Sequence, residues 1–441
     1  MLRTKISTGE AVCPQIAMFA TVLYALSGVI LANSVPQVKD VAAAQRTDGS
    51  GIVDVWYTLE DADGDRCTVT FEVSDDAGST WGVPATVFLS PGALGPDVTP
   101  GRWHILWNSQ SDLPGAFGTT YQVRITADDG QTTVPPGMVL IPGGTFQMGD
   151  SFGEVPFDER PVHTVTLSAF YMGRHEITNG QYCEFLNSAL GQGLITVSSG
   201  STPGRVYQFG SGTSYLYCYT SGGNINSQIA YSEGTFAVRT KGGRGMADDP
   251  IVEVSWYGAV AYCNWRSLQE GREPCYDLTN GTCDFNRNGY HLPTEAQWEC
   301  AARGGLSAKR FPWGDMISHS QANYLSMGDF NYDISPTRGC HPTWNDGIWP
   351  YTSPVGSFAA NGYGLYDMTG NAGEWCHDWY GLGYDYRPQT NPTGPSEGAG
   401  RVYRGGFWSA PALWCRVSYR YYLTPGSCYE YLGFRVCMEQ D

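Results

Sequence analysis

The sequence is poor in positive charge. It holds 26 Lys and Arg against 43 Asp and Glu in 441 residues, a formal net charge of −17. Nucleic-acid binding is excluded on that ground, because phosphate neutralisation needs clustered cations. An acidic surface fits a soluble protein and one that attracts cations. No two of the 13 cysteines stand in CxxC spacing, so no zinc ribbon is expected. The seven histidines show neither HxH nor HxxxH spacing, and His377 in Cys376-His-Asp378 reads as a structural surface histidine rather than a general base. Beyond the N-terminal region there is no second long apolar run, and no tandem repeat is visible.

The N-terminus reads as an export signal over residues 1–34. Arg3 and Lys5 precede an apolar run from Ile16 to Ala32, followed by the small residues Ala32-Asn-Ser34. A secreted, periplasmic or cell-surface location is expected, with membrane contact only through an uncleaved N-terminal anchor. Removing the signal takes away Cys13 and leaves an even number of cysteines, so disulfides are expected. Cys275 and Cys283 are the easiest pair to propose, and closing so short a loop would stabilise by about 2.6 kcal/mol.

Residues 35–133 predict an all-β domain. Ile52-Val-Asp-Val-Trp-Tyr-Thr, Cys67-Thr-Val-Thr-Phe-Glu-Val, Trp103-His-Ile-Leu-Trp and Tyr121-Gln-Val-Arg-Ile-Thr alternate apolar with polar residues, as half-buried strands do. Their spacing suggests an immunoglobulin-like or fibronectin-like β-sandwich. Asp61-x-Asp63-x-Asp65 between two of them reads as a hairpin turn rather than a calcium loop. Residues 131–137 read as a linker.

From residue 134 to 441 the texture is that of an irregular α+β domain. Thr178 can cap a helix burying Tyr182, Phe185, Leu186 and Leu190, and Ser255 can cap a second through Ala259, Tyr262 and Trp265. Thr294 and Gln297 form a capping box for a third, ended by Gly304. Residues 191–247 read as a Gly/Ser-rich insertion with hairpins. Asp284-x-Asn286-x-Asn288-Gly289-x5-Glu295 matches the EF-hand loop formula, but a disulfide-clipped turn is the expectation.

A series of ordered motifs runs through this second region. They are Met138-Val-Leu-Ile-Pro-Gly-Gly-Thr-Phe-Gln-Met-Gly149, His175-Glu-Ile-Thr-Asn179, Val254-Ser-Trp256, Leu292-Pro-Thr-Glu-Ala-Gln-Trp-Glu299, Phe311-Pro-Trp-Gly314, Asn361-Gly-Tyr-Gly-Leu-Tyr366, Gly370-Asn-Ala-Gly-Glu-Trp375, Arg404-Gly-Gly406 and Gly433-Phe-Arg435. The region resembles the formylglycine-generating enzyme, or sulfatase-modifying factor, family, with His291 where that family usually has Arg. The resemblance implies a fold related to C-type lectins. It also implies calcium at Asp367, Gly370, Ala372 and Glu374, and a second calcium at Asn323, Tyr324, Asp346 and Ile348, partly through backbone oxygens. Hard oxygen donors on glycine-rich turns suit that ion.

The family's chemistry uses two cysteine thiolates to hold copper(I), beside which oxygen is activated to oxidise a sulfatase cysteine to formylglycine. Counted from Gly405-Gly406, Cys415 falls on the second ligand position and Ala410 on the first. Phe407 replaces the usual small hydroxyl residue. A two-coordinate copper(I) site needs both thiolates, so copper is not expected, and Cys415 is a catalytic candidate only if the protein is an enzyme. Cys428 is close in sequence, but its spacing does not make it a substitute. The region is instead crowded with Trp408, Trp414, Tyr419, Tyr421, Tyr422, Tyr429 and Tyr431, side chains that give large contact area at low entropic cost. The expectation is a non-catalytic, calcium-stabilised scaffold for a protein, peptide or glycan ligand. The alternative is an oxidoreductase making formylglycine.

Overall fold

A computed structural model describes residues 6–10, 36–62, 64–76, 81–90, 93–115, 120–129, 134–154, 157–200 and 203–440. The chain forms two compact units, Met1–Val134 and Pro135–Asp441.

The first unit is β-rich. One antiparallel sheet runs Ile6–Glu10, Gln122–Asp128, Cys67–Ser74, Gly95–Val98, and the other runs Gln37–Gln45, Ile52–Glu60, Gly101–Asn108. The alternating residues of both sheets meet in one core, where Val55, Tyr57, Ile105 and Trp107 face Cys67, Val69, Val73 and Ile125. Four of these strands sit where alternation placed them. Gln37–Gln45 and Gly95–Val98 carry no such pattern and are additional. The turn after Glu60 is held by Asp61, whose Oδ1 accepts from the backbone N–H of Gly64 and Asp65 at 2.9 and 3.2 Å. Of the segment read as an export signal, only Ile6–Glu10 lies among the described residues, as a strand; residues 11–34 lie outside them. Among the described residues no helix is long and apolar enough to cross a membrane.

The second unit is mixed. A one-turn helix, α1 (Ser109–Asp112), belongs to the first unit; here lie α2 (Asn179–Gly191), α3 (Trp256–Gln269) and α4 (Glu295–Arg303). Each begins at its expected cap: Thr178 in a capping box with Gln181, Ser255 accepting from Gly258 N, and Thr294 in a capping box with Gln297. Gly304 closes α4 in the left-handed conformation, φ 55°. The insertion between α2 and α3 forms one three-stranded sheet and two hairpins, Ile229–Ser232 with Thr235–Val238 and Thr240–Lys241 with Arg244–Gly245. The principal sheet runs Arg420–Leu423, Arg401–Arg404, Gly373–Trp379, Leu432–Gly433. Trp298 and Ala301 of α4 pack in the core with Cys376 and Val402 of that sheet.

Beside this apolar core lies an ionic one. Arg404, Arg416, Arg420 and Arg435 are all at most 2% exposed. Each meets a buried glutamate: Arg404 with Glu299, Arg416 with Glu159, Arg420 with Glu295 and Arg435 with Glu374. Further donors reach backbone carbonyls of irregular chain, Arg404 Nη1 to Ser418 and Tyr419, Arg435 to Gly173 and Tyr366, while Arg404 Nε has no hydrogen-bond partner among the described residues. Buried charges persist only when paired and hydrogen-bonded in this way.

The cysteines differ from expectation. All twelve among the described residues are free thiols. Most are buried in separate places, Cys67 in the core of the first unit and Cys376 and Cys437 in that of the second, where a thiol packs as a small apolar group. Cys275 and Cys283 are hydrogen-bonded thiols rather than a disulfide. The loop after them is held by Asx geometry instead, with Asp284 Oδ1 accepting from Asn286 N at 3.1 Å. Asn288 Oδ1 is spent on Glu273 N, and Glu295 is spent on Arg420, so the EF-hand pattern is not a cation loop.

Candidate functional site

The glycine-rich turn from Asn361 to Glu374 is wound by its own side chains. Asn361 Oδ1 accepts from Tyr363 N and Leu365 N, and its Nδ2 donates to Ala301 O at 2.8 Å. Asp367 and Asn371 adopt left-handed φ of 57° and 62°. Gly370 is required by contact: a Cβ there would stand 2.2 Å from Asn323 O. Asp367 Oδ2 accepts from Gly356 N at 2.6 Å, while its Oδ1 has no hydrogen-bond partner among the described residues. Glu374 holds Arg435 through both oxygens at 2.6 Å and accepts from Trp298 Nε1 at 2.7 Å.

A third acid joins them. Glu176, two residues before the Thr178 cap, is 1% exposed and accepts only long bonds, from Ala372 N at 3.3 Å and Asn371 Nδ2 at 3.4 Å. Burial, then the charges of Asp367 and Glu374, push its carboxyl well above the usual range. Burial raises Asp367 to about 6. Three carboxylates thus face the Arg435 guanidinium, an excess of two negative charges when all are ionised. No three His, Cys, Asp or Glu side chains form a metal-holding group among the described residues.

The second set is arranged differently. Asn323 Nδ2 donates to Tyr351 O at 2.8 Å, and its Oδ1 has no partner among the described residues. The Tyr324 carbonyl lies 3.1 Å from His319 Nε2. Asp346 accepts from Ile348 N at 3.0 Å and pairs with Lys241 at 3.3 Å.

The sulfur chemistry is sealed. Cys415 ends a 3-10 turn, Ala412–Cys415, and is fully buried. Gly406, with φ 70°, closes over it, and a Cβ at Gly406 would stand 2.6 Å from Cys415 Sγ. Burial pushes the Cys415 thiol up, away from thiolate. Ala410 is also fully buried and offers a methyl group. Phe407 stacks on Tyr431 at 4.0 Å and is 6% exposed. Cys428 lies beside Cys218 and Glu253. His377 is not a surface histidine. It packs against Trp256, Tyr276 and Phe285, and burial lowers its pKa to about 3, so it is neutral.

Next to the sealed thiol the surface opens into a groove of about 510 Å³ lined by Phe157, Asp158, Tyr380, Leu382, Leu413, Trp414, Tyr419, Tyr421 and Tyr422. Asp158 is its single charged residue, and Phe157 and Leu382 stand 76% and 94% exposed on its rim. The seven aromatics expected to face a ligand are divided. Trp414, Tyr421 and Tyr422 line the groove with their rings partly exposed. Tyr419 lines it but is largely buried under Trp414, at 5.9 Å. Tyr429 and Tyr431 stack on each other at 5.2 Å and continue through Tyr431 to Phe407. Trp408 is core, 1% exposed, with its Nε1 bonded to Glu430 O. Sequence reasoning missed Phe157, Tyr380 and Leu382, which come from distant segments. It also missed Glu176, although the motif His175-Glu-Ile-Thr-Asn179 contained it.

The model of the sulfatase-modifying factor enzyme 1-like domain matches residues 125–440. The chain belongs to the sulfatase-modifying factor family. It is 29% identical over 384 residues to the formylglycine-generating enzyme of Bos taurus, covering 82% of this chain and 88% of that protein. It is 33% identical over 322 residues to the formylglycine-generating enzyme of Streptomyces coelicolor, covering 69% and 90%. Among solved structures it is similar to Treponema denticola variable protein 1, with 25% identity, 68% and 94% coverage and a TM-score of 0.44. In this chain position 410 is a buried Ala, position 407 a stacked Phe, and Arg404, Arg416 and Arg435 are buried.

Proposed function

We propose that this sulfatase-modifying-factor domain is an exported, calcium-stabilised scaffold that binds a protein, peptide or glycan in the groove at Trp414, Tyr421 and Tyr422. The observation that carries the reading is the juxtaposition of a sealed thiol and an open aromatic groove. Cys415 is buried, protonated and without a second sulfur at position 410, so a thiolate pair for copper(I) is missing. The aromatic rings beside it offer flat faces for stacking against sugar rings, prolines or aromatic side chains.

Calcium enters this reading through the Glu176, Asp367 and Glu374 group. With all three ionised, their excess of two negative charges over Arg435 is what a divalent cation neutralises, and the open Asp367 Oδ1 is a free hard donor. The residues that would hold it are Asp367 through its open Oδ1 and Gly370 and Ala372 by carbonyl, with Glu374, whose oxygens also hold Arg435 and Trp298, and Glu176 completing the charge. The first unit, with its two sheets over one core, we read as a β-sandwich of immunoglobulin or fibronectin type that accompanies the binding domain.

A second reading, an oxidoreductase converting a sulfatase cysteine to formylglycine, is favoured by the extent of the match to formylglycine-generating enzymes, 88% and 90% of their own lengths. One experiment separates the two. The protein, incubated with copper(I), is given a Cys-x-Pro-x-Arg peptide, and both binding and aldehyde formation are followed; soluble oligosaccharides are titrated in parallel. The scaffold reading expects no aldehyde. It also expects a bound peptide or sugar whose affinity falls at least tenfold in Trp414→Ala or Tyr422→Ala, the scale of a buried aromatic anchor. Aldehyde formation abolished by Cys415→Ser overturns it.

A further inference from the structure

The hairpin Thr240–Lys241 and Arg244–Gly245 carries two cations on one tight turn, with Gly242 and Gly243 at φ 57° and 84°. Both point into the loop at residues 344–352. Arg244 pairs with the fully buried Asp249, reaches Thr352 O, and lies over the Trp344 ring at 5.5 Å. Lys241, whose side chain is 4% exposed, sends its ammonium to Asp346 Oδ2 at 3.3 Å, to Ile348 O at 3.1 Å and to Pro350 O.

We infer that the Lys241 ammonium is the resident cation of the Asp346–Ile348 loop and stands in the place of a second calcium ion. Four residues, Asn323, Tyr324, Asp346 and Ile348, make up the set that family resemblance assigns to that ion. The structure has spent three of their oxygens. The Asp346 carboxylate and the Ile348 carbonyl are held by Lys241, and the Tyr324 carbonyl faces the His319 imidazole. Of the set's side-chain oxygens, Asn323 Oδ1 alone has no hydrogen-bond partner among the described residues, while calcium takes six to eight oxygens. An ammonium has three donors, and here three acceptors meet it. Charge agrees with geometry: one carboxylate faces one ammonium, so the pair is neutral and a divalent ion beside it would add uncompensated positive charge. The Glu176, Asp367 and Glu374 group is the opposite case, with more carboxylate than guanidinium.

The inference shares with the proposed function the idea of calcium at the first group, and the test keeps the two apart. The full chain, stripped with a chelator, is titrated with calcium by calorimetry and by equilibrium dialysis. The expected stoichiometry is one, kept in Asp346→Asn and lost in Asp367→Asn. Lys241→Met, which removes the charge and keeps the aliphatic stem, is expected to bind two, and Lys241→Met with Asp346→Asn to return to one. Two ions in the native chain, or loss of a bound ion in Asp346→Asn, overturns the inference. So does a folded Lys241→Met that gains no ion. Absence of calcium from the native chain overturns the reading of the first group instead, and Lys241→Met gaining one ion then still supports the lysine's role. Should Lys241→Met not fold, the Asp346→Asn arm decides.

Discussion

Replacing Glu176 by Gln tests the reading of the carboxylate group, because the effect reverses with calcium. Glu176 is 1% exposed, and Gln keeps an acceptor for Ala372 N while removing one negative charge. Without calcium the native carboxylates pay either by mutual repulsion or by taking up a proton. Two charges roughly 6 Å apart repel by about 3 kcal/mol at an effective dielectric of 20. The long 3.4 Å contact to Asn371 Nδ2 is the only hydrogen bond at risk, worth about 1 kcal/mol. Glu176→Gln should therefore stabilise the chelated protein by about 2 kcal/mol, a rise of roughly 5 °C in the melting temperature of the second unit. With calcium at a hundredfold excess over its dissociation constant, the native chain gains about 2.7 kcal/mol and the variant, with weaker affinity, gains less. The two melting curves should exchange order between chelator and millimolar calcium, as read by calorimetry. A variant less stable than native in chelator, or one equally responsive to calcium, refutes the argument.

Glu253 offers a pH test. It is fully buried at φ 60°, and burial, with the charge of Glu430, raises its carboxyl to about 8. A raised carboxyl favours the folded state when protonated, so this contribution is full below the unfolded pKa of about 4.5 and is lost as pH rises through about 8. Glu253→Gln should match native stability near the acid end and exceed it by a few kcal/mol at the alkaline end of that window, measured by denaturant titration; parallel pH profiles would contradict this. Arg435→Met strands Glu374 in the core and should cost about 3–5 kcal/mol, with a loss below about 1 kcal/mol counting against a buried pair. Gly406→Ala places a methyl 2.6 Å from Cys415 Sγ at φ 70° and should cost about 2–4 kcal/mol, only partly recovered by Cys415→Ala, because the backbone contacts at 3.0 Å remain.

Local signals were legible in the sequence, and distant pairings were not. The caps at Thr178, Ser255 and Thr294 announced the three long helices because a cap is written within four residues. Alternation located the strands at Ile52, Cys67 and Gly101 for the same reason. The partners of the buried arginines stand up to 257 residues away, as Arg416 from Glu159, and nothing periodic links such residues. Glu176 and Lys241 were hidden by the same distance. An acid beside a helix cap and a lysine before two glycines look ordinary until the chain brings Asn371 and Asp346 to them. The disulfide expectation misled because an even count of cysteines says nothing about where each thiol is buried.

The buried guanidiniums have a consequence for how such a surface changes over time. Backbone at Ser418, Tyr419, Gly381, Gly173 and Tyr366 is held from beneath, by Arg404, Arg420 and Arg435 reaching its carbonyls. The exposed rings of Trp414, Tyr421 and Tyr422 ride on that frame without setting it. Exchange at those three positions costs contact area but few structural hydrogen bonds, so new residues are admitted one at a time without remaking the fold. Irregular chain, stapled from inside, becomes a mould whose outer face is free to drift toward a new shape.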